Sequence, residues 1–306
     1  NNPWFPRENI IYSLKAIASS LSKDNLEKWL SPYSDKALST ASKKVAVIMA
    51  GNIPLVGFHD FLSVLISGNI FIGKLSSQDK FLLPALANEL IAIEPSIKNN
   101  IIFTEGRLPA FDAVIATGSN NSSRYFEYYF GKYPHIIRKS RTSIAIISGK
   151  ESVEELRSLC DDIFLYFGLG CRNVNKLYIP QNYDFTVLKK AIGTYRDKLF
   201  THNKFMNNYE YNLSVFLINQ ISHIDTGFCL LKNDASFASP ISVINYEYYS
   251  DITDVLNNIS ANREKIQCIV GGKSYTNDTV TFGKSQQPEL WDYADGVNTM
   301  KFLIEL

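Results

Sequence analysis

This chain of 306 residues has little cysteine, little histidine and almost no net charge, and each shortage excludes a class of function. Its four cysteines, Cys160, Cys171, Cys229 and Cys268, are widely spaced and form no C-x-x-C pair. That spacing argues against a disulfide scaffold and against a zinc site, and it suits a reducing cytoplasm. The four histidines, His59, His135, His202 and His223, are equally scattered, so no metal is expected. Lys and Arg number 31 against 30 Asp and Glu, so nothing in the charge balance suggests a nucleic-acid or polyanion binder. No apolar run reaches the ~18 residues of a membrane-spanning helix, and no signal peptide is read at the start. Core-forming residues are plentiful: 45% of the chain is hydrophobic and 13% aromatic, enough for two lobes.

Residues 8–22 place Ile10, Ile11, Leu14, Ile17, Ala18 and Leu21 on one stripe of an amphipathic helix. From Val45 onward short apolar runs alternate with helical segments. Strands are read at 45–49, 70–74, 101–103 and 113–116, with helices at 57–66, 79–93 and 122–130. A second series begins near Ser143, with strands at 144–147, 177–179, 229–231, 242–246 and 267–270. Its helices are read at 152–166, 185–200, 205–219 and 251–263. Buried strands alternating with helices mean parallel sheets covered on both faces. The expected fold is α/β, with doubly wound lobes over 1–142 and 143–276 and a polar, aromatic segment, 277–306, returning across both.

The most informative residue is Cys171, in the run Phe167-Gly168-Leu169-Gly170-Cys171-Arg172-Asn173-Val174. Two glycines let a substrate approach, and a single thiol follows them, between a helix and a strand. A nucleophilic thiolate fits that setting, and so does a buried thiol acting as a small hydrophobe. The pair Gly168 and Gly170 lacks the third glycine of a dinucleotide fingerprint and follows a helix, so that reading is rejected. Earlier, Ala50-Gly51-Asn52-Ile53-Pro54-Leu55 follows a strand and precedes a helix. Gly73-Lys74-Leu75-Ser76-Ser77-Gln78 ends the next strand, and Ala116-Thr117-Gly118-Ser119 leads from a strand into a helix.

In this order the motifs resemble the aldehyde dehydrogenase superfamily, and within it the LuxC-like acyl-CoA reductases that make fatty aldehydes. The likeness runs from the first strand nearly to the end of the chain. It is carried most by Gly51-Asn52-Ile53-Pro54-Leu55-Val56-Gly57-Phe58-His59-Asp60, by Gly170-Cys171-Arg172-Asn173, and by Phe282-Gly283-Lys284 with Asp292-Tyr293-Ala294-Asp295-Gly296-Val297. The resemblance implies an aldehyde dehydrogenase-like fold with the active site between a nicotinamide-binding lobe and a catalytic lobe. It makes Cys171 the nucleophile and Asn52 an oxyanion-hole amide, beside the backbone N–H of Cys171. The other reading of Asn52 is a cap on the following helix. The resemblance also places Lys74, Ser76 and Ser77 at the adenosine ribose, and Thr117, Gly118 and Ser119 at the pyrophosphate. A solvated lysine and an ordinary capped helix are the alternatives. Where the superfamily has an acid three residues after that lysine, this chain has Ser77. A 2′-phosphate then meets no repulsion, so NADPH is expected over NADH.

The implied reaction is NADPH-dependent reduction of a fatty acyl thioester, carried by coenzyme A or acyl carrier protein, to the aldehyde. Rival readings are an aldehyde-oxidising enzyme, hydrolytic or CoA-acylating, and a silent nucleotide-binding partner subunit. Hydrolytic superfamily members carry a general-base glutamate at a strand end. The matching stretch here, 134–143, has no carboxylate, and none occurs between Glu127 and Glu151. Within it Arg138, Lys139 and Arg141 read as a solvated basic loop, with coenzyme A phosphates as the sharper alternative, and His135 as structural. A homodimer is expected by analogy alone.

Overall fold

The computed structural model describes residues 2–33 and 42–306, and they divide into two compact units. One comprises the chain up to Ser140 together with Pro288–Leu306, and the other is Arg141–Gln287.

The first unit opens with helices α1 (Arg7–Ser20) and α2 (Lys23–Leu30). The charged composition of α2 hides it from pattern reading, and Ser22 starts it by accepting the N–H of Asn25 at 3.3 Å. Then follow β1 (Lys44–Ile48), α3 (Phe58–Ile66), β2 (Ile70–Lys74), α4 (Leu82–Ile93), β3 (Ile101–Thr104), β4 (Ala113–Thr117), α5 (Asn120–Phe130) and β5 (His135–Arg138). The strands form a parallel sheet in the order β3-β2-β1-β4-β5. The inner strands β1, β2 and β4 are buried without alternation through their middles, as strands covered on both faces must be. Edge strand β3 is only partly buried. Phe61 of α3 meets Phe71 of β2 edge to face, with centroids 5.0 Å apart. The chain winds outward from β1 to β3, then returns to β4 on the other side of β1. The carboxyl ends of β1 and β4 therefore flank the switch point at which open α/β sheets bind ligands.

The second unit contains β6 (Thr142–Ile146), α6 (Val153–Phe164), β7 (Val174–Pro180), α7 (Phe185–Gly193), α8 (Arg196–Phe200) and α9 (Asn203–Ile218). It continues with β8 (Ile224–Asp225), β9 (Leu230–Asn233), β10 (Val243–Tyr249), α10 (Ile252–Ala261), β11 (Ile266–Gly271) and β12 (Thr279–Val280). The strand order is β12-β11-β6-β7-β10-β9-β8, with β8 antiparallel to β9. Helix α6 starts with a capping box: Ser152 accepts the N–H of Glu155 at 3.2 Å, and Glu155 accepts the N–H of Ser152 at 2.8 Å. Central strand β6 is buried throughout, yet both its ladders slip near Ser143. Ile266 faces Thr142 and Ile269 faces Ile144; Val174 faces Ser143 and Lys176 faces Ile144. Each neighbour thus carries one extra residue at that level. Paired bulges of this kind re-aim the chain beside functional sites.

The last helix, α11 (Thr299–Ile304), belongs to the first unit, where Leu303 joins the core around Val45, Phe61 and Phe71. Its first residue also corrects an expectation. Arg138 does not lie on a solvated loop. It ends β5, is 5% exposed, and donates to both carboxylate oxygens of Asp60 on α3, at 2.6 and 2.9 Å. A further bond, 3.0 Å long, reaches the hydroxyl of Thr299. A guanidinium can be buried here because its fork matches a carboxylate supplied from a distant part of the chain.

Candidate active site

The candidates of the first unit all lie at the carboxyl edge of its sheet. The loop after β1 touches the loop after β2: a Cβ on Gly51 would stand 2.3 Å from the hydroxyl oxygen of Ser76, so only glycine fits. Asn52 follows in that loop. It does not cap α3, whose N-cap is Gly57 with no side-chain cap bond. Lys74 is the last residue of β2, and its ammonium donates to the carbonyls of Glu105, at 2.8 Å, and Gly106. Ser76 accepts the N–H of Gln78 at 3.2 Å, and Ser77 is exposed. The Glu105 carboxylate pairs with Lys80.

Thr117 ends β4, and Ser119 caps α5 by accepting the N–H of Ser122 at 3.1 Å. Gly118 is forced by close packing, since a Cβ there would fall 2.9 Å from the Cβ of Ser122. Capping and anion binding do not compete at this turn, because the helix N-terminus opens at the carboxyl end of β4 either way. A close-approach loop at the switch point, a strand-end lysine and a helix N-terminus together fit a dinucleotide cofactor.

Cys171 belongs to the second unit, in the connection from α6 to β7. Its thiol is exposed, whereas Cys160, Cys229 and Cys268 are buried. Burial pushes the thiols of Cys160 and Cys229 up, away from the reactive thiolate. The backbone before Cys171 is unusual. Tyr166, Phe167 and Gly168 are successively left-handed, with φ of 54°, 60° and 75°. Bulky residues hold that conformation at a cost of about 1–3 kcal/mol each, and only where packing enforces it. Here Tyr166 and Phe167 are both buried, and Phe167 stacks on His202 with centroids 4.0 Å apart.

Two residues to which pattern reading gives no role, Asn173 and Ser143, hold this turn, and Asp162 and Arg172 lie beside it. Asn173 is fully buried, and its amide nitrogen points at the carbonyls of Asp162, Ile163 and Leu165, at 3.1, 3.3 and 2.8 Å. Its amide oxygen accepts the N–H of Gly170 at 2.8 Å. Ser143 donates its hydroxyl to the carbonyl of Cys171 at 3.0 Å and accepts the N–H of Cys268 at 3.1 Å. Asp162 accepts the N–H groups of Gly283, at 2.6 Å, and Ser285, at 2.9 Å. Burial pushes its carboxyl up to about 6 despite those bonds. Arg172 donates to the sulfur of Cys268 at 3.1 Å and to the carbonyl of Ser285 at 3.3 Å. Asn173, two residues after the thiol, was the one local signal, since Asn readily bonds backbone three residues back.

His135 lies on β5, where its Nδ1 donates to the carbonyl of Tyr133 at 2.8 Å and its Nε2 faces Glu127 at 3.9 Å. Among the described residues no group of three His, Cys, Asp or Glu side chains is placed to hold a metal ion. Nor is any helix among them long and apolar enough to cross a membrane.

Two α/β units built on parallel sheets make up an aldehyde dehydrogenase fold, and solved structures agree. The indole-3-acetaldehyde dehydrogenase of P. syringae, solved with NAD+ and IAA, superposes with a TM-score of 0.60 at 14% identity, covering 78% of this chain and 57% of that one. Aldehyde dehydrogenase 21 of Physcomitrella patens, solved with succinate, gives 0.64 at 12% identity, over 86% of this chain and 66% of that one. The family model described as acyl-CoA reductase (LuxC) matches residues 17–192, more than half of the chain. The chain belongs to that family.

Two relatives are long-chain acyl-protein thioester reductases. That of Aliivibrio fischeri is 24% identical over 270 residues, 78% of this chain and 55% of the relative. A second, from Photobacterium leiognathi, is 23% identical over 197 residues, 58% of this chain and 41% of the relative. The chain spans about half the length of these curated relatives.

Proposed function

We propose that this chain catalyses NADPH-dependent reduction of a fatty acyl-CoA thioester to the fatty aldehyde, through an acyl-cysteine on Cys171. The observation that carries the reading is that Cys171 alone of the four thiols is exposed, and that it follows three left-handed residues at a glycine turn. The Cys171 thiolate attacks the thioester carbonyl, the coenzyme A thiolate leaves, and a new thioester forms on the protein. Charge on the carbonyl oxygen is met by the Cys171 N–H and, by the family resemblance, by the Asn52 amide. Lys74, Ser76, Ser77, Thr117, Gly118 and Ser119 would hold NADPH, which when bound supplies hydride for the acyl carbon. Cys171 then departs as thiolate from the resulting thiohemiacetal, releasing aldehyde and restoring the site. Ser77 in place of an acid supports NADPH over NADH. By analogy the protein works as a homodimer in the reducing cytoplasm.

A second reading of the donor comes from the relatives, whose names specify an acyl-protein thioester. One experiment addresses both. The protein is incubated with long-chain acyl-CoA or acyl carrier protein thioester, without nicotinamide, and its intact mass and peptide map are recorded. An acyl adduct on Cys171 is expected, and NADPH should discharge it as aldehyde faster than NADH does. An adduct that persists in Cys171→Ala, or that maps to Cys160, would sink the assignment. No adduct from either donor would favour a silent subunit.

A further inference from the structure

We propose that Asn173 and Ser143 are positioning residues that fix the peptide planes around Cys171 and shield its thiolate from the end of helix α6. The proposal rests on the reading of Cys171 as nucleophile.

Every peptide unit flanking the thiol is pinned. The N–H of Gly170 is taken by the Asn173 side chain at 2.8 Å, and its carbonyl by the Asn173 backbone N–H at 3.0 Å. The carbonyl of Cys171 is taken by the Ser143 hydroxyl at 3.0 Å. Ser143 is tied back through its own N–H to the carbonyl of Asn173 at 3.2 Å. The peptide joining Gly170 to Cys171 is trans, so its N–H points opposite its carbonyl. With that carbonyl held by Asn173, the Cys171 N–H has one direction. This is the preorganisation an oxyanion donor needs, since turning it during the reaction would cost rate.

The second role is electrostatic. Helix α6 ends a few residues before the thiol, and its last carbonyls form the negative pole of the helix. Left open, those oxygens would disfavour a thiolate nearby. The Asn173 amide points at three of them, from 0% exposure and with no net charge of its own. The extra residues on both neighbours of β6 put Ser143 level with this turn, where its hydroxyl bridges Cys268 and Cys171 in place of a regular ladder. A hydroxyl is therefore needed at this position for a bond geometry that an unbroken sheet would not require.

The test uses the full chain with Asn173→Ala, Ser143→Ala and Ser143→Thr. Cys171 alkylation by iodoacetamide is followed across pH with peptide mapping, and acylation is timed at saturating acyl thioester. Asn173→Ala is expected to move the alkylation profile to higher pH by about one unit, a tenfold loss of thiolate at a given pH. Ser143→Ala should slow saturated acylation about tenfold without changing the thioester concentration for half-saturation, and Ser143→Thr should recover most of it. Residues that merely stabilise the fold would lower the melting temperature and leave both readouts in place. If folded Asn173→Ala keeps the wild-type alkylation profile and Ser143→Ala acylates within a factor of two, the proposal is wrong. Should Asn173→Ala not fold, the serine pair decides alone. Wild-type protein that alkylates at Cys171 yet is never acylated would overturn the reading of the reaction, while the alkylation profile still judges the positioning.

Discussion

Reactivity at Cys171 depends on what keeps one thiol at the surface while the other three are buried. Three consecutive left-handed residues turn the chain between α6 and β7, and buried aromatic packing supports their strain. At Asn52 the structure removes one alternative, because Gly57 and not Asn52 begins α3. The remaining reading gives a sharp expectation. Asn52→Ala should lower turnover by roughly 10²–10³, the usual cost of one oxyanion donor, at nearly unchanged stability. Steady-state kinetics beside urea unfolding measures both. Turnover within a factor of three of wild type, with clear destabilisation, would make Asn52 a structural residue.

At the scale of elements, Arg138 joins β5, α3 and α11. With Asp60 it forms a bidentate pair in which both side chains are almost fully buried, at 6% and 7% exposure. Removing one partner of such a pair strands the other and typically costs about 3–5 kcal/mol. Arg138→Leu should lose stability on that scale in urea unfolding, and Asp60→Leu added to it should recover much of the loss. Had Arg138 served coenzyme A phosphates, the variant would keep its stability and show only a raised KM. This element also marks where the sequence is opaque. The inner strands β1, β2, β4 and β6 were legible because both their faces are buried, which writes unbroken apolar runs. β5 was not legible, because Arg138, Lys139 and Arg141 look like a solvated loop until Asp60, 78 residues away, is seen. The thiol and the glycine turns could be found by spacing. Ser143 could not, since its role arises from bulges on two other strands.

For the molecule as a whole, the decisive feature is a base that the sequence withholds. Residues 134–143, which the family resemblance sets against the general-base glutamate of hydrolytic superfamily members, hold no carboxylate. Asp60, bonded to this stretch, and His135, within it, both have partners of their own. Asp60 accepts both hydrogen bonds of the Arg138 fork. His135 donates to a backbone carbonyl and faces Glu127. General-base help is typically worth about 10²–10⁴ in rate, so water should attack an acyl-Cys171 slowly. A reductase gains from that weakness, because hydrolysis would drain the intermediate before hydride transfer. The expected outcome is an acyl-enzyme that outlasts many turnover times without nicotinamide and releases almost no fatty acid. Adding NADPH should then yield aldehyde in amounts matching the adduct lost. Chromatography of the acyl products against time, with and without NADPH, measures this directly. Free fatty acid appearing as fast as aldehyde would mean that another group activates water, and the hydrolytic alternative would take the place of reduction.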